Sequence, residues 1–359
     1  LNKEEKSMKK NELFSIAENF VVEGKILSIE PTENGHINNT YLVVTDFPKR
    51  YILQRVSDAF DINLLMKNID AVTSFMALKA ENPERQMRLI HTKKDKNYFV
   101  HETGNYRIFT YVEDSICLDA PETTGDFFES AVAFGTFQKL LEDFPAKTLS
   151  EPIKNFHNTP DRYRILKETV AKDPLGRAKE VKKEIEFALN REKEAGILQS
   201  MRESGELPLR VTHNDTKLNN VLLDKYSRRA LCVIDLDTVM PGLSLYDFGD
   251  SIRFGANTAA EDETDLTKIK FEKYPDDKNL KRYVDDVEKF SLLSPKETEE
   301  LLKVMSNGGE NSEKAREKLI QSNLRLVLYI ANKFDKDKTK FLSFLTGLKK
   351  CYDKDNEFF

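Results

Sequence analysis

Hydrophobic and polar residues alternate along the first part of the chain, between residues 24 and 56. Two turn-rich runs, PTENGHINN and TDFPKR, interrupt the alternation. A period of two residues is typical of half-buried strands, so three antiparallel strands are predicted over this stretch. Apolar residues then recur at helical spacing from Ile62 to Met76, which predicts one amphipathic helix. Two further strands, over residues 97–100 and 106–112, follow with a turn between them.

The pattern becomes helical beyond about Glu113. Helices are predicted over residues 126–141 and 176–204, and again from residue 280 to residue 353. A short run of strand-like sequence, residues 209–235, lies between these helical parts. The chain shows no internal repeat, low-complexity tract or proline-rich linker.

The length of the chain agrees with a division into two lobes. At 359 residues it exceeds what one hydrophobic core usually serves, and a cleft between lobes is a common place for a ligand. A small lobe of antiparallel strands and one helix is predicted over residues 1–112. A larger, mostly helical lobe is predicted over residues 120–359, with residues 113–119 as the hinge. The predicted fold class is therefore α+β with two lobes.

Composition narrows the class of protein. Lys+Arg number 56 against 61 Asp+Glu, a formal charge of −5, which disfavours a nucleic-acid-binding protein because backbone phosphates require a basic face. Cys117, Cys232 and Cys351 are odd in number and widely spaced, which argues against a disulfide framework or a zinc site and favours a reducing cytoplasm. The first 14 residues lack the apolar region of a secretory signal, and no stretch approaches the ~20 apolar residues of a membrane helix. We expect a cytoplasmic protein without membrane association.

The strand-like run contains a group of polar residues with a recognisable spacing. The pattern H-x-D-x-K-x-x-N is formed by His213, Asp215, Lys217 and Asn220. It is the catalytic-loop spacing of phosphoryl-transfer enzymes, in which a carboxylate deprotonates the acceptor hydroxyl, an amide oxygen holds magnesium and a lysine offsets phosphoryl charge. His213 is expected to brace the loop by hydrogen bonding. A polar turn between two buried strands is the plainer alternative, but four matched positions weigh against it.

An apolar strand in the same region ends in two carboxylates. Residues 231–238 read LCVIDLDT, which places Asp235 and Asp237 at the end of the strand. Magnesium bound with ATP takes one or two carboxylates plus phosphate oxygens, so Asp235 is the predicted metal ligand. Asp237 is expected either to assist it or to face solvent. We call residues 211–224 the catalytic loop and residues 231–238 the metal-binding strand end.

The triplet Asp247-Phe248-Gly249 spells the magnesium-binding motif of protein kinases. Residues 240–246, which precede it, are predicted as a loop rather than a buried strand. Asp247 is therefore interpreted as an N-cap or loop anchor for a helix over residues 248–254. Too few residues separate Asp235 from Tyr246 for the activation segment that docks protein substrates, which disfavours a protein kinase.

Long runs of the sequence resemble the aminoglycoside phosphotransferase and choline kinase superfamily, and within it the N-acetylhexosamine 1-kinases. The resemblance extends over residues 14–269 and is carried by GHINNTYLV, YILQRV, FHNTPDRY, LPLRVTHNDTKLNNVLLD and VIDLDTVMPGLSLYDFGDSIRFGANTA. It implies a two-lobed, protein-kinase-like fold with ATP and Mg²⁺ as cosubstrates. It also implies phosphorylation of the anomeric hydroxyl of N-acetylglucosamine or N-acetylgalactosamine.

The resemblance implies roles for particular residues. Asp215 corresponds to the catalytic aspartate, and Asn220 and Asp235 correspond to metal ligands. Nucleotide contacts are expected at Gly35, Asn39, Thr40, Gln54, Tyr111, Val112 and Glu113, the last three through the backbone of the hinge.

Sugar contacts are expected from three side chains, because a hexose needs hydrogen-bond partners and a flat apolar face. They are His36, Arg253 and Phe254. The plainer interpretations are that His36 caps a turn and that Phe254 belongs to the core. His157, in the FHNT run, is interpreted as a local structural residue.

The sequence departs from the family pattern in two places. The lysine that kinases carry on the third strand should fall near Gln54, which is neutral, although Arg55 or Lys217 could contribute charge. From about residue 270 the resemblance fades, and residues 293–303 and 315–334 look like the start of the core helical region of bacterial sigma factors. Amphipathic helices that close the large lobe are the favoured interpretation, so RNA polymerase and nucleic acid are not expected partners.

Three hypotheses about function remain open at this point. The leading one is a sugar 1-kinase, acting on a small sugar and ATP as a monomer. A related phosphotransferase acting on an aminoglycoside, choline or another amino alcohol would need an acidic pocket, which residues 261–265 could supply. A nucleotide-binding regulator with weak catalysis is suggested by Gln54, but the intact Asp215, Asn220 and Asp235 count against it.

Overall fold

The computed structural model of the chain describes residues 10–32 and 38–255, together with isolated helical positions between residues 297 and 318. The first elements along the chain are α1 (Lys10–Ala17), β1 (Ile26–Pro31), β2 (Asn39–Thr45), β3 (Arg50–Val56), α2 (Ile62–Lys79), β4 (Leu89–Ile90), β5 (Phe99–His101) and β6 (Gly104–Thr110). Those that follow are β7 (Ser115–Cys117), α3 (Thr124–Leu140), α4 (Thr159–Lys172), α5 (Lys182–Leu189), α6 (Glu192–Ala195), α7 (Ile197–Ser204), β8 (Arg210–Thr212), β9 (Val221–Asp224), β10 (Ala230–Val233), β11 (Met240–Gly242) and α8 (Ser244–Gly255). The predicted α+β fold class is confirmed.

The small lobe is built on one six-stranded antiparallel sheet with the order β1-β2-β3-β6-β4, and β5 also pairs with β6. In the register of the two central strands, Gln54 of β3 lies opposite Arg107 of β6. Successive strand residues point to opposite faces, so these two side chains share a face with Ile52 and Phe109. That face turns toward α2 and the large lobe, because Ile52 and Phe109 belong to the core that those elements share.

The opposite face of the sheet is covered by α1. Leu13, Ile16 and Phe20 are buried there and pack against strand residues that include Leu53 and Ile108. The sequence analysis predicted no helix in this segment. The helix has only eight residues, too few to be stable alone in water, so its stability comes from packing on the sheet.

Helix α2 follows β3, as predicted. The carboxylate of Asp61 caps its first turn by accepting hydrogen bonds from the backbone N–H of Asn63 (3.0 Å) and Leu64 (3.2 Å). Asn68 is fully buried, and its Nδ2 donates to the carbonyl oxygens of Ser150 (2.8 Å) and Val239 (2.9 Å). The buried stripe of the helix consists of Leu65, Met66, Ile69, Val72 and Met76, all within the core that α2 shares with the large lobe.

The large lobe places two small sheets beside α3. One has the order β10-β9-β7, and the other pairs β11 with β8. Strand β7 lies within the stretch predicted as the hinge, so this connection is tied to the large lobe by antiparallel pairing with β9. A capping box between Thr123 and Asp126 starts α3, and Asp126 also accepts two hydrogen bonds of 2.7 Å from Arg228.

Several predicted boundaries are corrected. The single helix expected over residues 176–204 is three shorter helices, α5, α6 and α7, interrupted near Asn190 and Gly196, which have low helix propensity. The loop expected over residues 240–246 contains β11, and α8 begins at Ser244, so Asp247 lies in its first turn rather than at its N-cap.

Some predictions fall on residues that the structure does not describe. These are the helices expected beyond residue 280, apart from the isolated helical positions, and the turn that contains Gly35 and His36. None of the described helices is long and apolar enough to cross a membrane.

Candidate active site

The catalytic loop connects β8 to β9, and the first turn of α8 holds its backbone. The N–H groups of His213 and Asn214 donate to the two carboxylate oxygens of Asp247, at 2.9 and 2.8 Å. Gln138 of α3 donates to the same carboxylate at 2.7 Å. Burial raises the pKa of Asp247, while these donors favour its ionised form. Asp247 is therefore an anchor of the loop, and it cannot face a metal ion without giving up these contacts.

One turn further along α8, Asp250 holds the next part of the loop. Its carboxylate accepts hydrogen bonds from the backbone N–H (2.7 Å) and the hydroxyl (3.2 Å) of Thr216. The sequence analysis missed both Asp250 and Gln138. The DFGD run carried the only signal for Asp250, since two acidic residues three positions apart lie on one face of a helix.

His213 is fully buried beneath the loop. Its Nε2 donates to the carbonyl oxygen of Ile234 at 2.9 Å, and its Nδ1 accepts from the backbone N–H of Asp215 at 3.3 Å. The ring meets Phe134 and Phe137 edge to face, with centroids 5.4 and 5.8 Å away. These contacts connect the loop to α3 and to the strand that precedes Asp235.

The three other residues of the motif come together. Nδ2 of Asn220 donates to the carboxylate of Asp215 at 3.0 Å and to its carbonyl oxygen at 2.8 Å. Nζ of Lys217 lies 3.1 Å from the other carboxylate oxygen of Asp215. The Asp215 side chain keeps 26% of its surface exposed, so a carboxylate fixed by two neighbours remains open to an acceptor hydroxyl.

Asp235 is the second residue after β10 and has left-handed backbone dihedrals, φ 57° and ψ 61°. Asn214 also has a positive φ, 66°. Non-glycine residues rarely adopt this conformation, and such strain concentrates at functional sites, where the surroundings hold it in place. Asn and Asp tolerate it better than other residues, so the residue types at both positions suit this geometry.

The environment of Asp235 suits a cation. Burial and the nearby Asp237 raise the pKa of Asp235 to about 6, while Arg107 and His213 oppose this shift. The backbone N–H of Ile234 donates to the carbonyl oxygen of Asn220 at 2.9 Å, which brings the two predicted metal ligands together. A carboxylate and an amide oxygen are ligands that Mg²⁺ takes when phosphate oxygens and water complete its shell. Among the described residues, no cluster of three or more His, Cys, Asp or Glu side chains offers a closed metal site.

A chain of hydrogen bonds joins the sheet to the metal-binding strand end. Nη1 of Arg107 lies 2.5 Å from the Asp237 carboxylate, whose other oxygen accepts from Asn38 at 2.8 Å. Nε of Arg107 donates to Oε1 of Gln54 at 3.0 Å, and Nε2 of Gln54 donates to the hydroxyl of Thr40 at 3.2 Å. Asp237 thus assists the strand end through an ion pair and does not face solvent. The sequence analysis missed Arg107 because no local sequence motif includes it.

The other described residues predicted to contact the nucleotide lie at the two ends of the central strands. Asn39 begins β2 opposite Arg55, whereas Tyr111 lies beside Arg50 at the other end of β3. The backbone of the predicted hinge is partly occupied, since Tyr111 N–H donates to the carbonyl oxygen of Arg50 at 3.0 Å and the carbonyl oxygen of Val112 accepts from the Ser115 hydroxyl at 2.6 Å. The carboxylate of Glu113 pairs with Arg50, whose guanidinium lies 4.2 Å from the Tyr111 ring centroid.

The two described residues that were predicted to contact the sugar, Arg253 and Phe254, lie in the last turn of α8. Arg253 is half exposed and donates to Asp250, with Nε 3.0 Å and Nη2 2.9 Å from its Oδ1, and Phe254 is half-buried beside it. His157 packs against the ring of Tyr246, with centroids 5.1 Å apart. Burial lowers the pKa of His157, and its Nε2 has no hydrogen-bond partner within the described residues.

Comparison with known proteins identifies the family. The model of the phosphotransferase enzyme family matches residues 28–274, more than half of the chain, and the chain belongs to that family. The resemblance seen in the sequence is thereby confirmed at the level of the superfamily. The match also ends near residue 270, where the sequence resemblance fades.

Solved structures that match include an amicoumacin kinase in complex with AMP-PNP and Ca²⁺, at 11% identity over 96% of this chain and 94% of that chain, with a TM-score of 0.49. A microcompartment-associated aminopropanol kinase is 13% identical over 98% of this chain and 99% of that chain, with a TM-score of 0.47. An aminoglycoside phosphotransferase from Alicyclobacillus acidocaldarius is 12% identical over 95% of this chain and 96% of that chain, with a TM-score of 0.46.

Proposed function

We propose that this phosphotransferase moves the γ-phosphate of ATP to the anomeric hydroxyl of an N-acetylhexosamine, with Mg²⁺ as the metal. The observation that carries the proposal is the Asp215 carboxylate, which is partly exposed and fixed between Asn220 and Lys217. Its loop is anchored to α8 through Asp247 and Asp250, so the carboxylate is positioned before any ligand arrives. Such positioning, with electrostatic stabilisation, is most of what phosphoryl transfer asks of a protein.

In this proposal Asp215 orients the acceptor hydroxyl and takes its proton as the phosphoryl group is transferred. The hydrogen bond from Asn220 fixes the direction of the carboxylate, and Lys217 places a positive charge beside it. An anomeric hydroxyl is more acidic than other sugar hydroxyls, so a single carboxylate suffices as base. When bound, Mg²⁺ supplies charge neutralisation at the phosphates, and Asn220 and Asp235 would hold it.

The charged side chains near the predicted sugar contacts favour an uncharged acceptor molecule. Among the described residues, Asp250 is a carboxylate in contact with the predicted sugar residue Arg253, and it is already engaged by that guanidinium and by Thr216. A cationic amino alcohol or aminoglycoside needs unpaired carboxylates, whereas a neutral sugar needs polar groups and an apolar face. Arg253 and Phe254 could provide these, with the acetamido group meeting both. The acidic run 261–265, which would favour a cationic acceptor, lies outside the described residues.

The nucleotide is proposed to lie in the cleft between the lobe of residues 1–112 and the lobe of residues 120–359. Thr40 and Gln54 lie on the face of the sheet that Arg107 links to the metal-binding strand end, which would place the phosphates between the two. Asn39, at the start of β2, is proposed to approach the phosphates from the end of that strand. The adenine would lie near the hinge, at Tyr111 to Glu113. Gly35, at the turn, is proposed to approach the phosphates, and His36 the sugar.

The experiment that tests the proposal measures ADP release with ATP, Mg²⁺ and a panel of acceptors. The panel contains N-acetylglucosamine, N-acetylgalactosamine, choline, an amino alcohol and an aminoglycoside, and Asp215→Asn is the control for background hydrolysis. We expect turnover with an N-acetylhexosamine and a product whose phosphorus is scalar-coupled to the anomeric proton in NMR.

Other outcomes would refute the proposed acceptor or the proposed kinase activity separately. Phosphate on the 6-hydroxyl, or turnover only with a cationic acceptor, would refute the proposed acceptor and leave the role of Asp215 standing. Nucleotide binding without turnover on any acceptor would favour the regulator hypothesis.

A further inference from the structure

Gln54 occupies the position on the third strand where kinases carry a lysine, and it is neutral. The neighbouring Arg55 points to the other face, where its Nε donates to the carbonyl oxygen of Thr103 at 2.6 Å and its Nη2 pairs with Asp58 at 2.8 Å. Arg50, at the start of the strand, pairs with Glu113 of the predicted hinge. Charge that the small lobe offers to the nucleotide phosphates would therefore come from another strand.

The strand next to it provides a candidate. Arg107 of β6 lies directly opposite Gln54 in the antiparallel register, so its side chain is on the face that turns toward the large lobe. The Arg107 side chain is 1% exposed. Gln54 accepts a hydrogen bond from Nε, and the guanidinium carbon lies 5.0 Å from the centroid of the Phe109 ring. Gln54 thus orients the guanidinium rather than replacing a lysine.

Arg107 lies beside the predicted metal ligand. Its Nη1 is 2.5 Å from the carboxylate of Asp237, two residues after Asp235. Nucleotide phosphates would add more negative charge to a buried region, where an uncompensated charge is costly.

We propose that Arg107 supplies the positive charge of the small lobe at the nucleotide phosphates, the role that a lysine on the third strand performs in other kinases. Gln54 and Asp237 hold the guanidinium between the sheet and the metal-binding strand end. This proposal rests on the proposed kinase function, because it requires that ATP binds in this cleft.

A purely structural ion pair is the competing explanation, and it makes a different prediction. Arg107→Gln alone would leave Asp237 buried without a cation, so a loss of activity in that variant could reflect unfolding. The double variant Arg107→Gln/Asp237→Asn removes both charges and leaves two amides that can hydrogen bond to each other. Under the structural explanation the double variant should recover both stability and nucleotide affinity.

The decisive measurement is calorimetric binding of ATP, ADP and adenosine, each in the presence of EDTA and again with Mg²⁺, together with the melting temperature of the free protein. We expect the double variant to melt close to wild type and to bind adenosine equally well. We expect its affinity for ADP and ATP to fall by about tenfold or more, the loss of one charge-assisted contact. The loss should be present in EDTA, since it belongs to the guanidinium and not to the metal. Arg107→Lys retains the charge, so it should keep much of the affinity for ADP and ATP that the double variant loses.

A matched control comes from the same sheet. Arg55→Gln/Asp58→Asn removes a comparable ion pair from the opposite face of the sheet. This variant should bind adenosine, ADP and ATP with the same affinities as wild type. If wild type binds ATP and the Arg107/Asp237 double variant binds it equally well, the proposal for Arg107 is overturned and the kinase function stands. If wild type binds no ATP, the proposed function fails, and the proposal for Arg107 fails with it.

Discussion

Replacement of Asp247 by alanine tests whether this residue is an anchor of the catalytic loop. The buried carboxylate accepts hydrogen bonds from the backbone of His213 and Asn214 and from the side chain of Gln138, at 2.7 to 2.9 Å. Asp247→Ala leaves the two buried backbone donors without their acceptor, at a cost of about 1–3 kcal/mol each, while Gln138 keeps its bond to the carbonyl oxygen of Val211. Removing a buried charge returns part of this cost, because burial raises the pKa of Asp247. We expect the free energy of unfolding to fall by about 2–4 kcal/mol.

The assay is urea unfolding followed by circular dichroism, with the slope and midpoint compared between variants. Asp143→Ala is the matched control, because Asp143 is exposed and only pairs with Lys79 at the surface, and we expect little change in its midpoint. The reasoning is refuted if Asp247→Ala unfolds at the same urea concentration as wild type. It is also refuted if Asp247→Ala keeps its stability but loses Mg²⁺-dependent nucleotide binding, since Asp247 would then be the metal ligand.

Three further predictions follow from the site and its surroundings. Asp215→Asn should reduce turnover by about 10²–10⁴-fold while nucleotide affinity and melting temperature stay near wild type, and near-normal turnover would exclude it as the base. Asp235→Asn should raise the Mg²⁺ concentration needed for tight ATP binding, and an unchanged Mg²⁺ dependence would argue against Asp235 as a ligand. The same variant should raise the melting temperature of the metal-free protein, because burial raises the pKa of the carboxylate and asparagine tolerates the left-handed backbone. The hydrogen bond to Asp70 raises the pKa of His91, so the stabilising contribution of His91 should be complete below its unfolded-state pKa and disappear as the pH rises through the raised value. Unfolding of wild type and His91→Gln across this range should therefore differ most at the acidic end, and a constant difference would contradict the assignment.

Elements that depend on local periodicity could be predicted from the sequence. The alternation of residues 24–56 corresponds to β1, β2 and β3, and the helical spacing that follows corresponds to α2. The motif spacing likewise brought Asp215, Lys217 and Asn220 to one loop, because a short segment between two strands cannot separate them far.

Features that depend on long-range pairing were not accessible from the sequence. The importance of Arg107 depends on the register between β3 and β6, and a shift of one residue would turn its side chain to the other face. Strand β7 exists because β9 pairs with it, although its own three residues carry no clear strand signal. Asp250 and Gln138 act on backbone groups of the catalytic loop, so no spacing along the chain connects them to it.

The bridge formed by Asn68 has a consequence for motion in the cleft. Its two hydrogen bonds, to Ser150 and Val239, attach α2 to the large lobe, and the buried stripe of α2 shares that lobe's core. The same helix is also tied to the lobe of the sheet, because Asp70 pairs with His91 at 2.9 Å and the carbonyl oxygen of Met66 accepts from Asn97 at 3.2 Å. Helix α2 therefore couples the two lobes, and a motion that opens or closes the cleft would act on both sets of contacts. In hydrogen-exchange measurements, the amides of α2 should open together with those of α3 and β6, with which the helix shares one core.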